Sequence, residues 1–290
     1  MSESIDGIVA LLPYTLRHEK NLAEIKVSSL SLPLGGNFPE AIQKVSDLRA
    51  TDHLIVYCCS SSLLRTHHQI RCRISLLVAE PKAVQARYYF FLLFFWRKFF
   101  KVLTFSETLL KNLPNAIFHV PVTGWVEPID QTIKSQLVSI IASKKNQLPG
   151  QKLRHQFIKQ CDQRGIKLDL FGRGYREVEK KEEALSDYMF SIAIENSQEA
   201  NYISEKLIDC FLQKVVPVYW GAPNIEKFFD LNGIIYCQSI DELMNGIQQL
   251  SAELYNSKSV AIEKNYELAK QIQAPEFAAA LKLKNIESTR

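Results

Sequence analysis

"YMFSIAIENSQEANYISEKLIDCFLQKVVPVYWGAPNIEKF", residues 188–228, decides the fold of this chain. It opens on an apolar run at 190–194 and closes on another at 216–220. Between them Leu207, Ile208, Phe211 and Leu212 recur at helical spacing across 204–213. The two runs are apolar without alternation, as strands are when both faces of their sheet are covered. Strand, helix and strand in this order predict a parallel α/β layer.

The same grammar extends in both directions. "HLIVYC" (53–58), "ISLLVA" (74–79), "KVLTF" (101–105) and "AIFHV" (116–120) form a first set of strands. "VSIIAS" (138–143), "KLDLF" (167–171) and "GIIYC" (233–237) complete a second set with the two runs above. Helix patterns fill the intervals, one over 151–164 and one over 239–255 that starts at a capping box, Ser239 to Glu242. Between the two sets, "VPVTGWVEPIDQT" (120–132) carries two prolines and a glycine, the mark of a seam. Two Rossmann-like domains facing each other across a cleft are therefore expected, at 1–125 and 126–290. The last helical stretch, about 259–283, is a candidate to return to the first domain. Residues 1–50 give no assignable strand.

Composition bounds the function. The chain has 290 residues, 47% of them hydrophobic, enough for a full core and too many for intrinsic disorder. Its net charge of +4 does not by itself argue for nucleic acid. The excess is local: residues 144–183 hold eleven Lys and Arg against six Asp and Glu. That surplus is either a solvated face or a cradle for an anion. The six cysteines show neither CxxC nor zinc spacing, and their apolar surroundings suit buried thiols in a reducing, cytoplasmic compartment. The opening "MSESIDGIVALLPYTLRHEK" is acidic and lacks the basic start of a signal peptide. The aromatic run "YYFFLLFFW" (88–96) is well short of the about 20 residues that a spanning helix needs. It reads as a buried helix of the first domain or, with Arg87, Arg97, Lys98 and Lys101 around it, as a contact with a membrane surface.

Open parallel sheets bind ligands beyond the carboxyl ends of their strands. Glu80 follows one strand, Glu195 and Asn196 follow another, and the glycine turn of "FGRG" follows a third. Ser204 can cap the helix after 203, with Glu205 and Lys206 in its first turn. A lysine there opposes the helix dipole unless it points into water or a bound phosphate reverses the sign. "FGRGYREV" lacks the third glycine of a dinucleotide fingerprint, and His67-His68 fit a loop better than a metal pair.

The 188–228 stretch resembles the donor-binding signature of the α-1,3-fucosyltransferases, glycosyltransferase family 10. The shared elements are Glu-Asn after a strand, then Tyr-x-x-Glu-Lys opening a helix, then Val-Pro-Val-x-x-Gly-Ala-Pro. "SLLVAEPKAV" (75–84) is similar to that family's segment bearing its acceptor-side glutamate, and likeness continues through 102–118. The resemblance implies a GT-B fold and inverting transfer of fucose from GDP-fucose to a glycan hydroxyl. It implies Glu80 as general base, Arg154 and Lys206 as the cations that neutralise the diphosphate, and Asn196, Tyr202 and Glu205 as contacts to nucleoside and fucose. No Asp-x-Asp motif occurs, so neither metal nor other cofactor is expected, and the GDP-sugar is a substrate. The acceptor is expected to be a glycan, a lipid-linked one included, with the protein in the cytoplasm or at the inner face of the membrane. Another GDP-sugar as donor, or a catalytically silent sugar-nucleotide-binding module, are the competing readings.

Overall fold

The computed structural model describes residues 7–65, 67–130 and 133–288. The first six residues of the N-terminal segment, and the last two of the seam at 120–132, lie outside these. The chain divides into two compact units, Met1–Pro121 with Ala274–Arg290, and Val122–Gln273.

The first unit carries a five-stranded sheet whose order follows the chain: β1 (Val9–Leu11), β2 (His53–Tyr57), β3 (Arg73–Val78), β4 (Val102–Thr104) and β5 (Ala116–Phe118). Every pairing is parallel. Three helices connect strands: α1 (Ser60–Leu64), α2 (Lys82–Phe95) and α3 (Glu107–Asn112). Right-handed crossovers between strands laid down in sequence put every connecting helix on one face. That face is the larger core, where Ala10, Leu54, Val56, Leu76, Val78 and Val102 pack with Leu63, Tyr89, Leu92 and Leu109. The alternate residues Val9, Leu11, Ile55, Leu77 and Leu103 point to the other face, which no crossover helix covers.

The second unit holds β6 (Gln136–Ile141), α4 (Pro149–Gln163), β7 (Asp169–Phe171), β8 (Tyr188–Ile194), α5 (Glu205–Leu212), β9 (Val216–Trp220) and β10 (Ile235–Tyr236). It continues with α6 (Ile240–Gln248), α7 (Ala252–Ser257) and α8 (Ser259–Ile272). The sheet order is β10-β9-β8-β6-β7, again all parallel. The chain steps one way from β6 to β7 and the opposite way from β8 to β9. α4 and α5 consequently lie on opposite faces. Phe157 and Cys161 of α4 pack with Ile140, Phe190 and Ile192, whereas α5 brings Cys210 against Ser191 on the reverse side.

The remaining helix, α9 (Pro275–Ser288), belongs to the first unit. Its Ala279, Ala280 and Leu283 are fully buried against Val9, Leu11, Ile55, Leu77 and Leu103. Small residues let the helix sit close to the sheet, and Tyr57 donates to Glu276 at 2.8 Å along its edge. The sheet face left bare by the crossovers is thus covered by the end of the chain.

Several expectations need adjustment. The boundary lies after Pro121 rather than at 125, and only α9 leaves the second unit; α8 stays there, with Ile262 in its core. The pattern over 239–255 is two helices, because the Ser251 hydroxyl accepts from Leu254 N–H and caps a fresh start. Residues 8–48 contribute β1 and four short 3-10 turns, and Leu22, Val27, Ile42, Val45 and Leu48 of this segment join the larger core. All six cysteines are buried and unbridged. Among the described residues no helix is long and apolar enough to cross a membrane. The aromatic run is only partly core: Tyr89 and Leu92 are buried, while Phe90, Leu93 and Phe94 are exposed.

Candidate functional site

The second sheet reverses its order between β6 and β8, and ligands bind beyond the strand ends at such a point. Two helix starts converge there. Gly150, in the first turn of α4, donates its N–H to the Asn196 carbonyl at 3.0 Å. A Cβ at that position would lie 1.7 Å from the Glu195 carbonyl oxygen, so only glycine allows this approach. One turn further, Arg154 is buried and donates from Nη2 to the Ile194 carbonyl at 2.6 Å. Burial pulls its pKa down, against the Glu195 and Glu205 carboxylates and the Tyr202 and Tyr175 hydroxyls, which favour the cation.

The chain leaving β8 reaches Glu195, whose carboxylate is entirely enclosed. It accepts from the Ser204 N–H at 2.9 Å and from the Ser204 hydroxyl at 2.5 Å. Ser204 is the N-cap of α5, and its oxygen in turn accepts from the Lys206 N–H at 3.3 Å and from Lys206 Nζ at 3.2 Å. Lys206 Nζ also donates to Glu205 at 2.8 Å and stands 4.0 Å from Glu195. Lys206 therefore does not simply point into water: its side chain is only 22% exposed, with a carboxylate on either side. Those carboxylates answer the helix-dipole cost that the sequence raised.

The charge states follow from this network. Burial raises the pKa of Glu195 despite Lys206 and the Ser204 hydrogen bonds. Burial would lower that of Lys206, but Glu195 and Glu205 together hold it above the ordinary lysine value. Glu205 is pushed up by burial and pulled further down by Lys206 and Lys181, ending below the usual carboxylate range. Asp209, on the next turn of α5, pairs with Lys181 and also accepts from the Trp125 N–H at 2.6 Å.

The loop between Asn196 and Ser204 is tied down at its middle. Asn201 takes a left-handed backbone, φ 64°, and exchanges two 2.8 Å hydrogen bonds with Asn224. Tyr202 is buried, its N–H closing a turn onto Glu199, and Asn196 is half-buried with its carbonyl held by Gly150. Gly221 completes the floor, since a Cβ there would come within 2.2 Å of the Tyr219 hydroxyl and 2.6 Å of Glu195. Glu195 as clamp and Asn224 were not among the site residues expected from sequence. Asn224 ends the Gly-Ala-Pro-Asn run, and its role needed a contact 23 residues away.

Arg154, Asn196, Tyr202, Glu205 and Lys206 all lie in the second unit, on the segments that meet at this strand end. Glu80 lies in the first unit, past the carboxyl end of its central strand β3. Its carbonyl accepts from the Tyr89 hydroxyl at 3.0 Å, and Pro81 caps α2 immediately after it. His67 packs on Phe99 while His68 is exposed, so the two do not converge. Among the described residues no three His, Cys, Asp or Glu side chains gather as metal ligands would.

"Glycosyltransferase family 10 (fucosyltransferase) C-term" matches residues 131–271. The chain is 31% identical to the Helicobacter pylori alpha-(1,3)-fucosyltransferase FucT over 94 residues, 32% of this chain and 19% of that protein. It is 31% identical over 147 residues to the Pongo pygmaeus 3-galactosyl-N-acetylglucosaminide 4-alpha-L-fucosyltransferase FUT3, 45% of this chain and 38% of the relative. These alignments thus span well under half of either relative. The crystal structure of an alpha1,3-fucosyltransferase with GDP superposes with a TM-score of 0.50 at 16% identity, over 79% of this chain and 77% of that one. The fold is the GT-B type, with two parallel α/β sheets, as expected from the sequence. Residues 131–271, which hold the Arg154, Glu195, Glu205 and Lys206 cluster, are thus those that match the C-terminal domain of glycosyltransferase family 10.

Proposed function

We propose that the chain is an inverting fucosyltransferase that moves fucose from GDP-fucose to a glycan hydroxyl. The observation that carries this is the Arg154 and Lys206 pair, one cation buried and one half-buried beside Glu195 and Glu205, at the strand-order switch of a domain that matches family 10. In the proposed reaction the acceptor oxygen bonds to the anomeric carbon as the bond to the β-phosphate breaks. The electron pair leaves with GDP, and the hydroxyl proton passes to Glu80. Fixed cations aimed at the departing diphosphate lower the barrier because they need no reorganisation as charge develops. They supply the charge that a divalent metal supplies in other sugar-nucleotide enzymes. A carboxylate positioned as general base contributes about 10²–10⁴ in rate.

Calorimetry in EDTA tests the donor half, with GDP expected to bind well ahead of UDP. Hydrolysis of a GDP-sugar panel then tests the chemistry without knowledge of the acceptor, with GDP-fucose consumed fastest. Binding that requires Mn²⁺, or equal affinity for UDP, would overturn the donor assignment. Faster release from another GDP-sugar would move the specificity, and binding without any release would leave a sugar-nucleotide-binding module.

A further inference from the structure

The segment from His53 to Ser106 contains eight Lys and Arg and a single carboxylate, Glu80. Within it α2 presents two faces. Tyr89 and Leu92 face the core, while Phe90, Leu93 and Phe94 are 59%, 44% and 63% exposed. The Phe90 and Phe94 rings pack edge to face at 5.1 Å, forming one apolar ridge. Exposed arginines bracket that ridge, Arg87 one turn before it and Arg97 one turn after, the latter's guanidinium 4.5 Å over the Trp96 ring. Lys98 adds charge at the same end, its ammonium donating to the Leu63 carbonyl at 2.9 Å.

We infer that this face of α2 seats on a bilayer surface that carries anionic lipids. Apolar rings in the middle and arginines at both ends match an acyl boundary below a negative headgroup layer. At 14 residues the helix lies on such a surface and does not span it. A second copy of the chain is the poorer occupant. The three side chains expose about 300 Å², against about 800 Å² per partner in a stable interface. Copies packed on this face, parallel or antiparallel, would set arginine against arginine at both ends. The inference does not depend on the donor or on the reaction.

Co-sedimentation of the whole chain with vesicles tests it. The protein is expected to pellet with phosphatidylcholine–phosphatidylglycerol vesicles, to stay in solution with phosphatidylcholine alone, and to be released by salt. Phe90→Ser with Phe94→Ser should lower partitioning by about tenfold or more, and Arg87→Gln and Arg97→Gln by about fivefold for each charge removed. The arginine variants keep the test decisive should the phenylalanine pair fail to fold, and unchanged circular dichroism and melting serve as the control. Equal pelleting with both lipid mixtures, or variants that bind like wild type, would overturn the inference. So would sedimentation velocity showing a dimer that the phenylalanine variant converts to monomer.

Discussion

Lys206→Met separates the two roles that one ammonium holds in the second unit. The substitution keeps the stem and removes a charge that lies 2.8 Å from Glu205 and 4.0 Å from the enclosed Glu195. Taking one partner from a buried ion pair costs roughly 3–5 kcal/mol. The lower end applies here, since Lys206 is partly exposed, Arg154 remains close, and Glu195 keeps both Ser204 hydrogen bonds. A loss of about 3 kcal/mol in a unit of this size lowers its melting temperature by about 6–12 °C. Separately, the charge-assisted bond to a diphosphate is worth about 1.5–3 kcal/mol, or roughly 10- to 150-fold in the Kd for GDP. Adding Glu205→Gln removes the carboxylate left without its partner. The double variant should recover stability to within about 1 kcal/mol while GDP stays at least tenfold weaker. Calorimetric scans with and without GDP, together with titration of each variant, give both quantities. A Lys206→Met protein that binds GDP within twofold of wild type refutes the phosphate role. A double variant no more stable than the single one refutes the charge-balance account.

Three further outcomes are expected. Glu80→Gln should hold GDP within a few-fold of wild type while transfer falls by about 10²–10⁴; loss of GDP binding or of folding would mark the residue as structural instead. Gly150→Ala drives a methyl group into the Glu195 backbone carbonyl and should cost about 3 kcal/mol or more in urea unfolding; a near-neutral result would mean that α4 and the β8 exit can move apart. The first unit should lose stability in mild acid. Burial, the larger cause at both sites, with Arg73 beside His53 and Lys282 beside His119, lowers these histidines to about 4 and about 3. Since the unfolded chain binds more protons below pH 6.5, their contribution is full above that value and lost as pH falls. From pH 7 to 5 each loses about 2 kcal/mol, and His119→Leu should flatten a melting-temperature profile over that range by about one proton.

The strands were legible wherever both faces of a sheet are covered, because burial on both sides leaves no alternation to misread. The runs at 53–58 and 216–220 fall on β2 and β9 for that reason. β1 was invisible because three residues, Val9–Leu11, carry too little pattern, and their pairing with His53–Ile55 is fixed by tertiary contact. α9 shows the same limit from the other direction. Its Ala279, Ala280 and Leu283 look unremarkable until a strand order of β1-β2-β3-β4-β5 leaves a sheet face with no crossover helix. At the site, the Ser204 cap and the first-turn placement of Glu205 and Lys206 were readable from local chemistry. The enclosure of Glu195 and the Asn201–Asn224 clamp were not, since both depend on segments that only the folded sheet brings together.

The arrangement around Ser204 suggests why two cations, one buried and one partly exposed, can stand side by side here. Arg154 and Lys206 alone would repel each other in a medium that screens poorly, and each would tend to lose its charge. Glu195 and Glu205 offset that repulsion, but they are not equivalent: burial favours the neutral form of Glu195, whereas Lys206 and Lys181 hold Glu205 below the usual carboxylate range. Glu195 is locked from behind by the N–H and hydroxyl of Ser204, and it has no solvent to turn toward. Glu205 retains some exposure and holds Lys206 by one direct contact. In the proposed role, a diphosphate would compete with Glu205 for the ammonium and leave the Ser204-held Glu195 in place. Glu205 holds the lysine by direct contact, and Glu195 and Glu205 together keep it charged. The same enclosure explains the glycines at 150 and 221, where a Cβ would come within 1.7 Å of the Glu195 carbonyl oxygen and 2.6 Å of the Glu195 side chain, respectively.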